Sequence, residues 1–258
     1  MSTPSGTPLG TRVFADGGYR YVEGVFQYSG GVAAQPGHAI ERAVFHRALP
    51  LAAGFEAIQA HLGRLGRDTT ALCALELRIP APLSDEGFFA FNRDYVGTLE
   101  RWGLIRDGIN PVARTNVCPS FDPPAGPVVH AFSYTVPSTL AHGGFIVAGS
   151  GEAPEGRANY RDHVIRPGDT SAEGLREKVR FVMAEMGRRL SLLDMGWQDA
   201  TSVQAYTVAD IGFLMHDELV ATGAARHGLC WHHSRPPVAV LDYEMDVRGP
   251  TREHHLRA

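Results

Sequence analysis

The sequence predicts an α+β fold made of two tandem β-β-α-β-α-β domains, residues 12–135 and 136–250, with the helices of each on one face of a mixed sheet. Two observations carry that expectation. Runs with helical and strand-like spacing alternate along the chain and recur in the same order in both halves. An arginine then closes each recurrence at a matching distance: Arg114 follows Gly54 by 60 positions, and Arg235 follows Gly174 by 61.

Each half opens on a hairpin-like stretch, YRYVEGVFQYSGGVAAQ in the first and FSYTVPS…GGFIVAGSGEA in the second. A helix follows in GFEAIQAHLGRLG, where Phe55, Ile58, Leu62 and Leu65 fall on one face. The strand-like TALCALELRIP and the amphipathic EGFFAFNRDYVGTLERWG lead to Arg114. In the second half the counterparts are GLREKVRFVMAEMGRRLSLLDMG, ATSVQAYTV and ADIGFLMHDELVATG, leading to Arg235. Strand-like sequence follows each arginine: PVVHAFSYTV and VAVLDYEMDV. Residues 1–11 and 249–258 read as loose tails.

The chain has 258 residues, 44% hydrophobic and 20% charged, enough apolar material for a sizeable core. A net charge of −4 leaves no basic footprint, so nucleic acid is not an expected partner. No stretch reaches the ~18–20 apolar residues of a membrane span, and the first residues lack the apolar core of a secretory signal. Three cysteines, far apart and without a CxxC, argue against a disulfide framework and for a cytoplasmic protein. The twelve histidines include no HxH or HExxH, so no metal is expected. The single lysine, Lys178, has charged neighbours on a helix and reads as solvated, a poor Schiff-base amine. The glycines of VAGSGEAPEG lack the GxGxxG spacing of a phosphate cradle and read as a turn.

Taken together, the motifs resemble the Rid (YjgF-like) family of enamine/imine deaminases, whose fold is chorismate-mutase-like. Tyr28-Ser29-Gly30-Gly31 and Ala148-Gly149-Ser150-Gly151 stand where that family carries an SGQ-like turn. Ala113-Arg114-Thr115-Asn116-Val117 matches its R-S-x-V strand, and Ser234-Arg235-Pro236-Pro237-Val238 matches it more loosely. Glu244 falls near the family's carboxylate, whereas the first half offers only His130 there. The tandem pair is also similar, more distantly, to chorismatases. What the resemblance implies is a cofactor-free C–N hydrolase acting on a small unsaturated amino acid, with ammonia as product. A 2-aminomuconate-type dicarboxylate suits two arginine clamps. A homotrimer with ligands between neighbouring units is implied as well. The alternatives are hydrolysis of an enol ether with release of pyruvate, and a non-catalytic module binding small carboxylates.

The chemistry sets the roles. A guanidinium presents two parallel donors to a carboxylate and stays charged, so Arg114 and Arg235 are the candidate clamps, with structural ion pairs as the competing reading. Protonating an enamine carbon and then releasing ammonia from the hydrated imine needs one carboxyl group with a raised pKa, and Glu244 is the candidate. In VLDYEMDV, alternation puts Asp242, Glu244 and Asp246 on one face, so the role requires that face to look into a cleft. His233 is a candidate proton shuttle. Asn116 bonds substrate or caps a turn, Glu152 edges the cleft, and Tyr28, Ser29 and Ser150 join the binding set through the turn motif.

Overall fold

A computed structural model of the chain describes residues 10–157 and 159–257. Thirteen strands form among them: β1 Thr11–Phe14, β2 Tyr19–Val22, β3 Gly31–Ala34, β4 His38–Pro50, β5 Leu72–Arg78, β6 Ala113–Pro119, β7 Val128–Pro137, β8 Phe145–Gly151, β9 Ser202–Tyr206, β10 Leu229–His232, β11 Ser234–Arg235, β12 Glu244–Gly249 and β13 Arg252–Leu256. The α-helices are α1 Leu51–Arg64, α2 Asp85–Arg101 and α3 Ala172–Leu192.

The strands make two sheets. One has seven strands in the order β1-β2-β3-β8-β12-β9-β10, the other six in the order β11-β6-β5-β7-β4-β13. Helices α1 and α2 bury Phe55, Ile58, Leu62, Tyr95, Val96 and Leu99 against the six-stranded sheet. Helix α3 buries Leu175, Val179, Val182, Met186 and Leu190 against the seven-stranded sheet. Alternation along β8 serves both sides: Phe145 and Val147 face α3, while Ile146 and Ala148 join the cluster of the other sheet.

The predicted pair of YjgF-like β-β-α-β-α-β domains is not what forms. Strands β1 to β3 come from the first half yet extend the sheet of the second, through antiparallel pairing of β3 with β8. Strands β11 and β13 cross the other way, onto β6 and β4. The small residues of β3 permit the first exchange: a Cβ at Gly31 would already sit 3.0 Å from the Ile146 carbonyl. The stretch 209–223, expected as an α-helix, makes a 3-10 turn at Gly212–Leu214 and a π-helical turn at Met215–Val220. There the Asp210 side chain accepts from Gly212 N, as in a turn, and Arg176 and Arg180 of α3 hold Glu218.

Three local expectations also change. Ala148-Gly149-Ser150-Gly151 is not a turn but lies within β8. Residues 252–256 are no loose tail: β13 runs parallel to β4, with Glu253 on Arg42 and His254 on Glu41. Residues 1–9, the greater part of the other expected tail, lie outside the described residues. Lys178 is fully buried, paired with Asp242 and with Glu152 at 3.5 Å. No helix among the described residues is long and apolar enough to cross a membrane.

Candidate active site

The site lies where β6 of one sheet meets β8 and β12 of the other, under the first turns of α2. That helix starts at Ser84, whose hydroxyl caps Gly87 N at 3.1 Å, with Asp85 and Glu86 in the first turn. Phe88, Asn92 and Tyr95 follow at i, i+4 and i+7 and present one buried stripe to β6. Arg114 and Asn116, two residues apart on β6, share a strand face.

Arg114 is 3% exposed. Its guanidinium carbon sits 4.9 Å from the Tyr28 ring centroid, 5.0 Å from Tyr95, 5.5 Å from Phe88 and 5.9 Å from Phe91. Four rings supply cation–π attraction, each worth ~0.5–2 kcal/mol, but no counter-charge. Arg114 Nη1 donates to Asn92 Oδ1, and Arg114 Nε is buried without a partner. Among the described residues no carboxylate pairs with it. Both polar atoms of the buried Asn116 amide also lack partners. The free Nε–Nη2 edge of Arg114 is the one that accepts a carboxylate side-on.

Glu244 enters the same cavity from β12. Tyr243, Met245 and Val247 take the apolar side under α3, so Glu244, Asp246 and Arg248 face the other sheet. The polar face left open by alternation is thus an internal one. Glu244 is 4% exposed and, among the described residues, has neither a side-chain hydrogen bond nor an ion pair. Burial pushes its carboxyl well above the usual range, and nearby Asp246 pushes the same way against the pull of Arg114. Gly149 makes the room, since a Cβ there would collide with the Glu244 carboxylate. Asp246 is spoken for by Tyr206 at 2.9 Å and Arg248 at 2.7 Å, and Arg248 reaches on to Glu76 at 3.1 Å.

The cavity is small, about 20 Å³, and partly open to solvent. Its polar side is Arg114, Asn116, Glu244, Glu155 and Tyr28; Phe88, Ala153, Val238 and Leu241 make an apolar side, with Tyr160 alongside. Tyr28 donates to Glu155 at 2.9 Å, and Glu155 is fixed by Arg189 at 2.9 Å. The segment carrying Val238 and Leu241 is tied down at both ends. Leu83 exchanges backbone hydrogen bonds with Pro237 and Ala239, and Glu152 accepts from Asp242 N and Tyr243 N at 2.5 and 3.0 Å. Burial outweighs those donors and Lys178 and raises the Glu152 carboxyl to about 7.

Of the residues singled out from sequence, Tyr28, Arg114, Asn116 and Glu244 line one cavity. Ser29 sits beside it, buried, with its hydroxyl on the Pro111 carbonyl at 3.0 Å. Ser150 points to α3 and takes a hydrogen bond from Arg189, and Glu152 lies behind the β12 strand. Arg235 and His233 are exposed and outside the cavity lining. Arg235 is in register with Cys118 on the short edge strand β11, so it is not the structural counterpart of Arg114. In the second half, β10 runs parallel to β9 as β6 runs parallel to β5, and Arg235 falls beyond it. Sequence reasoning missed Asn92, Phe88, Glu155 and Tyr160. A signal existed only for Asn92, an amide in the apolar stripe of an amphipathic helix.

Comparison with known proteins defines first the fold and then the family. The fold is that of a chorismatase crystal structure, matched with a TM-score of 0.50 at 11% identity over 85% of this chain and 77% of that one. At that identity the likeness concerns the fold alone, and it replaces the tandem YjgF-like assignment. The model of the family described as 2-aminomuconate deaminase CnbZ matches residues 11–254, and the chain belongs to that family. A 2-amino-5-chloromuconate deaminase from Comamonas testosteroni is 55% identical over 243 residues, 93% of this chain and 97% of the relative. Family membership makes the protein a deaminase, an enzyme acting on a C–N bond; the Rid family is not the one these matches show.

Proposed function

We propose that the protein hydrolyses the C–N bond of a 2-aminomuconate-type dicarboxylate and releases ammonia. The observation carrying this reading is a buried guanidinium without an acid partner, lining the same cavity as a buried, unpaired carboxyl: Arg114 and Glu244. The family and the 55% identical relative support the substrate class.

In this reading Arg114 grips one substrate carboxylate through its Nε–Nη2 edge, Asn116 supplies a further donor or acceptor, and the aromatic walls flank the planar carbon skeleton. Glu244, neutral at the start, gives its proton to the carbon end of the dienamine, which leaves a C=N iminium. Water adds to that carbon and Glu244 takes up the proton it sheds. The same proton then passes to nitrogen, the C–N bond breaks with ammonia leaving, and the hydroxyl proton returns to Glu244 as the C=O forms. The balance is substrate plus water giving a 2-oxo dicarboxylate plus ammonia. Only Arg114 of the two expected clamps lines the cavity, so a single anchored carboxylate suffices here.

Ammonia release from 2-aminomuconate tests the proposal, with chorismate and a pyruvate assay as the control for enol-ether hydrolysis. No ammonia from the wild-type chain, or undiminished release by Glu244→Gln, overturns it.

A further inference from the structure

We propose that Asn92 is a positioning residue for the carboxylate clamp, holding the Arg114 guanidinium with a neutral acceptor so that its charge stays available to the substrate. This rests on the reading of Arg114 as that clamp. The other deeply buried arginines set the contrast. Arg42 is held by Glu76 at 2.5 Å, Arg248 by Asp246 at 2.7 Å, and Arg189 by Glu155 and Glu185 at 2.9 and 2.7 Å. Arg114 alone among these four is held by an amide.

The position of the contact explains what the amide does. Asn92 lies one α2 turn after Phe88 and one before Tyr95, fully buried, so its side chain is fixed between two of the rings that flank the guanidinium. Its Oδ1 takes Nη1, which sets the fork's rotation and leaves the side-on edge free. Its Nδ2 is itself a buried donor without a partner, as is Arg114 Nε. Asn92 itself lies outside the cavity lining, whereas Arg114 lines it, and the orphaned Arg114 Nε, costing ~1–3 kcal/mol when unmet, is what an arriving carboxylate satisfies. An aspartate would fit the same space but neutralise the guanidinium from within, so the substrate would have to compete with an internal carboxylate.

The test compares Asn92→Asp with Asn92→Ser, a smaller but neutral acceptor, in the full chain. Two readouts serve: steady-state kinetics with 2-aminomuconate, and calorimetric binding of muconate, the diene dicarboxylate that lacks the amine. In Asn92→Asp, KM and the muconate Kd rise at least about tenfold, equivalent to ~1.4 kcal/mol, while kcat and the thermal midpoint hold. In Asn92→Ser they rise about threefold, from loss of fork alignment alone. A purely structural hydrogen bond predicts the reverse, with aspartate as good as asparagine and serine worse. Aspartate binding as tightly as wild type, or serine weaker than aspartate, overturns the inference. The clamp reading fails separately, if wild type and Arg114→Gln bind muconate alike.

Discussion

Arg114 and Arg189 are both buried guanidiniums beside the same cavity, and their surroundings differ in kind. Arg189, on α3, spends its donors on Glu155, Glu185, Ser150 and two backbone carbonyls. Arg114 has one amide oxygen and four aromatic rings. The acids divide the same way. Glu76 is drawn well below the usual range, because Arg248 and Arg42 overcome the penalty of burial, whereas Glu244 is left above it with no bonded partner. Paired charges hold the two sheets together; unpaired ones lie where a substrate can complete them.

Substitutions separate these two kinds of charge. Glu244→Gln is expected to lower kcat by roughly 10²–10⁴-fold, the usual contribution of a positioned acid–base group, with no loss of thermal stability. Arg189→Gln is expected to destabilise the fold by ~3–5 kcal/mol in a denaturant titration, since Glu155 would be left buried without its ion pair, while Glu185 keeps Arg188. Arg114→Gln should do the opposite, leaving the denaturation midpoint in place while kcat/KM falls about 10²-fold, as expected on losing a bidentate ionic contact. Equal stability losses in the two arginine variants would erase the distinction.

Two pH effects sharpen it further. The proposed first step needs Glu244 protonated, and its pKa is raised, so kcat should decline on the alkaline side as that group ionises, and the limb should vanish in Glu244→Gln. The smallest effect concerns Glu152. Its folded pKa of about 7 lies above the ordinary 4.5, so its favourable contribution is present below 4.5 and is lost as pH rises through about 7. Folding stability measured across that window should fall with pH in the wild type and fall less steeply in Glu152→Gln.

Part of this site was legible in the residues. Arg114 was visible from its repeat spacing and, with Asn116, from the match to an R-S-x-V strand, Tyr28 as part of a small-residue motif, and Glu244 as an acid in an alternating strand. Asn92 was visible only as a blemish in a helical stripe. Arg235 misled because its spacing from Gly174 matched that of Arg114, while the chain between them makes a π-helical turn and a short edge strand instead of repeating the first half.

What local sequence determined by itself was most of the alternation of helices and strands, the apolar faces of α1, α2 and α3, and the chemical type of the polar groups that line the cavity. Periodicity and side-chain chemistry are properties of neighbours in the chain, and they survive without knowledge of the fold. Only the tertiary structure decided which strands share a sheet, because β3 meets β8 and β13 meets β4 across more than a hundred and two hundred residues respectively, and no local pattern records such pairings. The same long-range packing decided which charges found partners. Glu244 and Arg114 remain available because the two sheets meet around them without bringing either one a bonded counter-ion among the described residues.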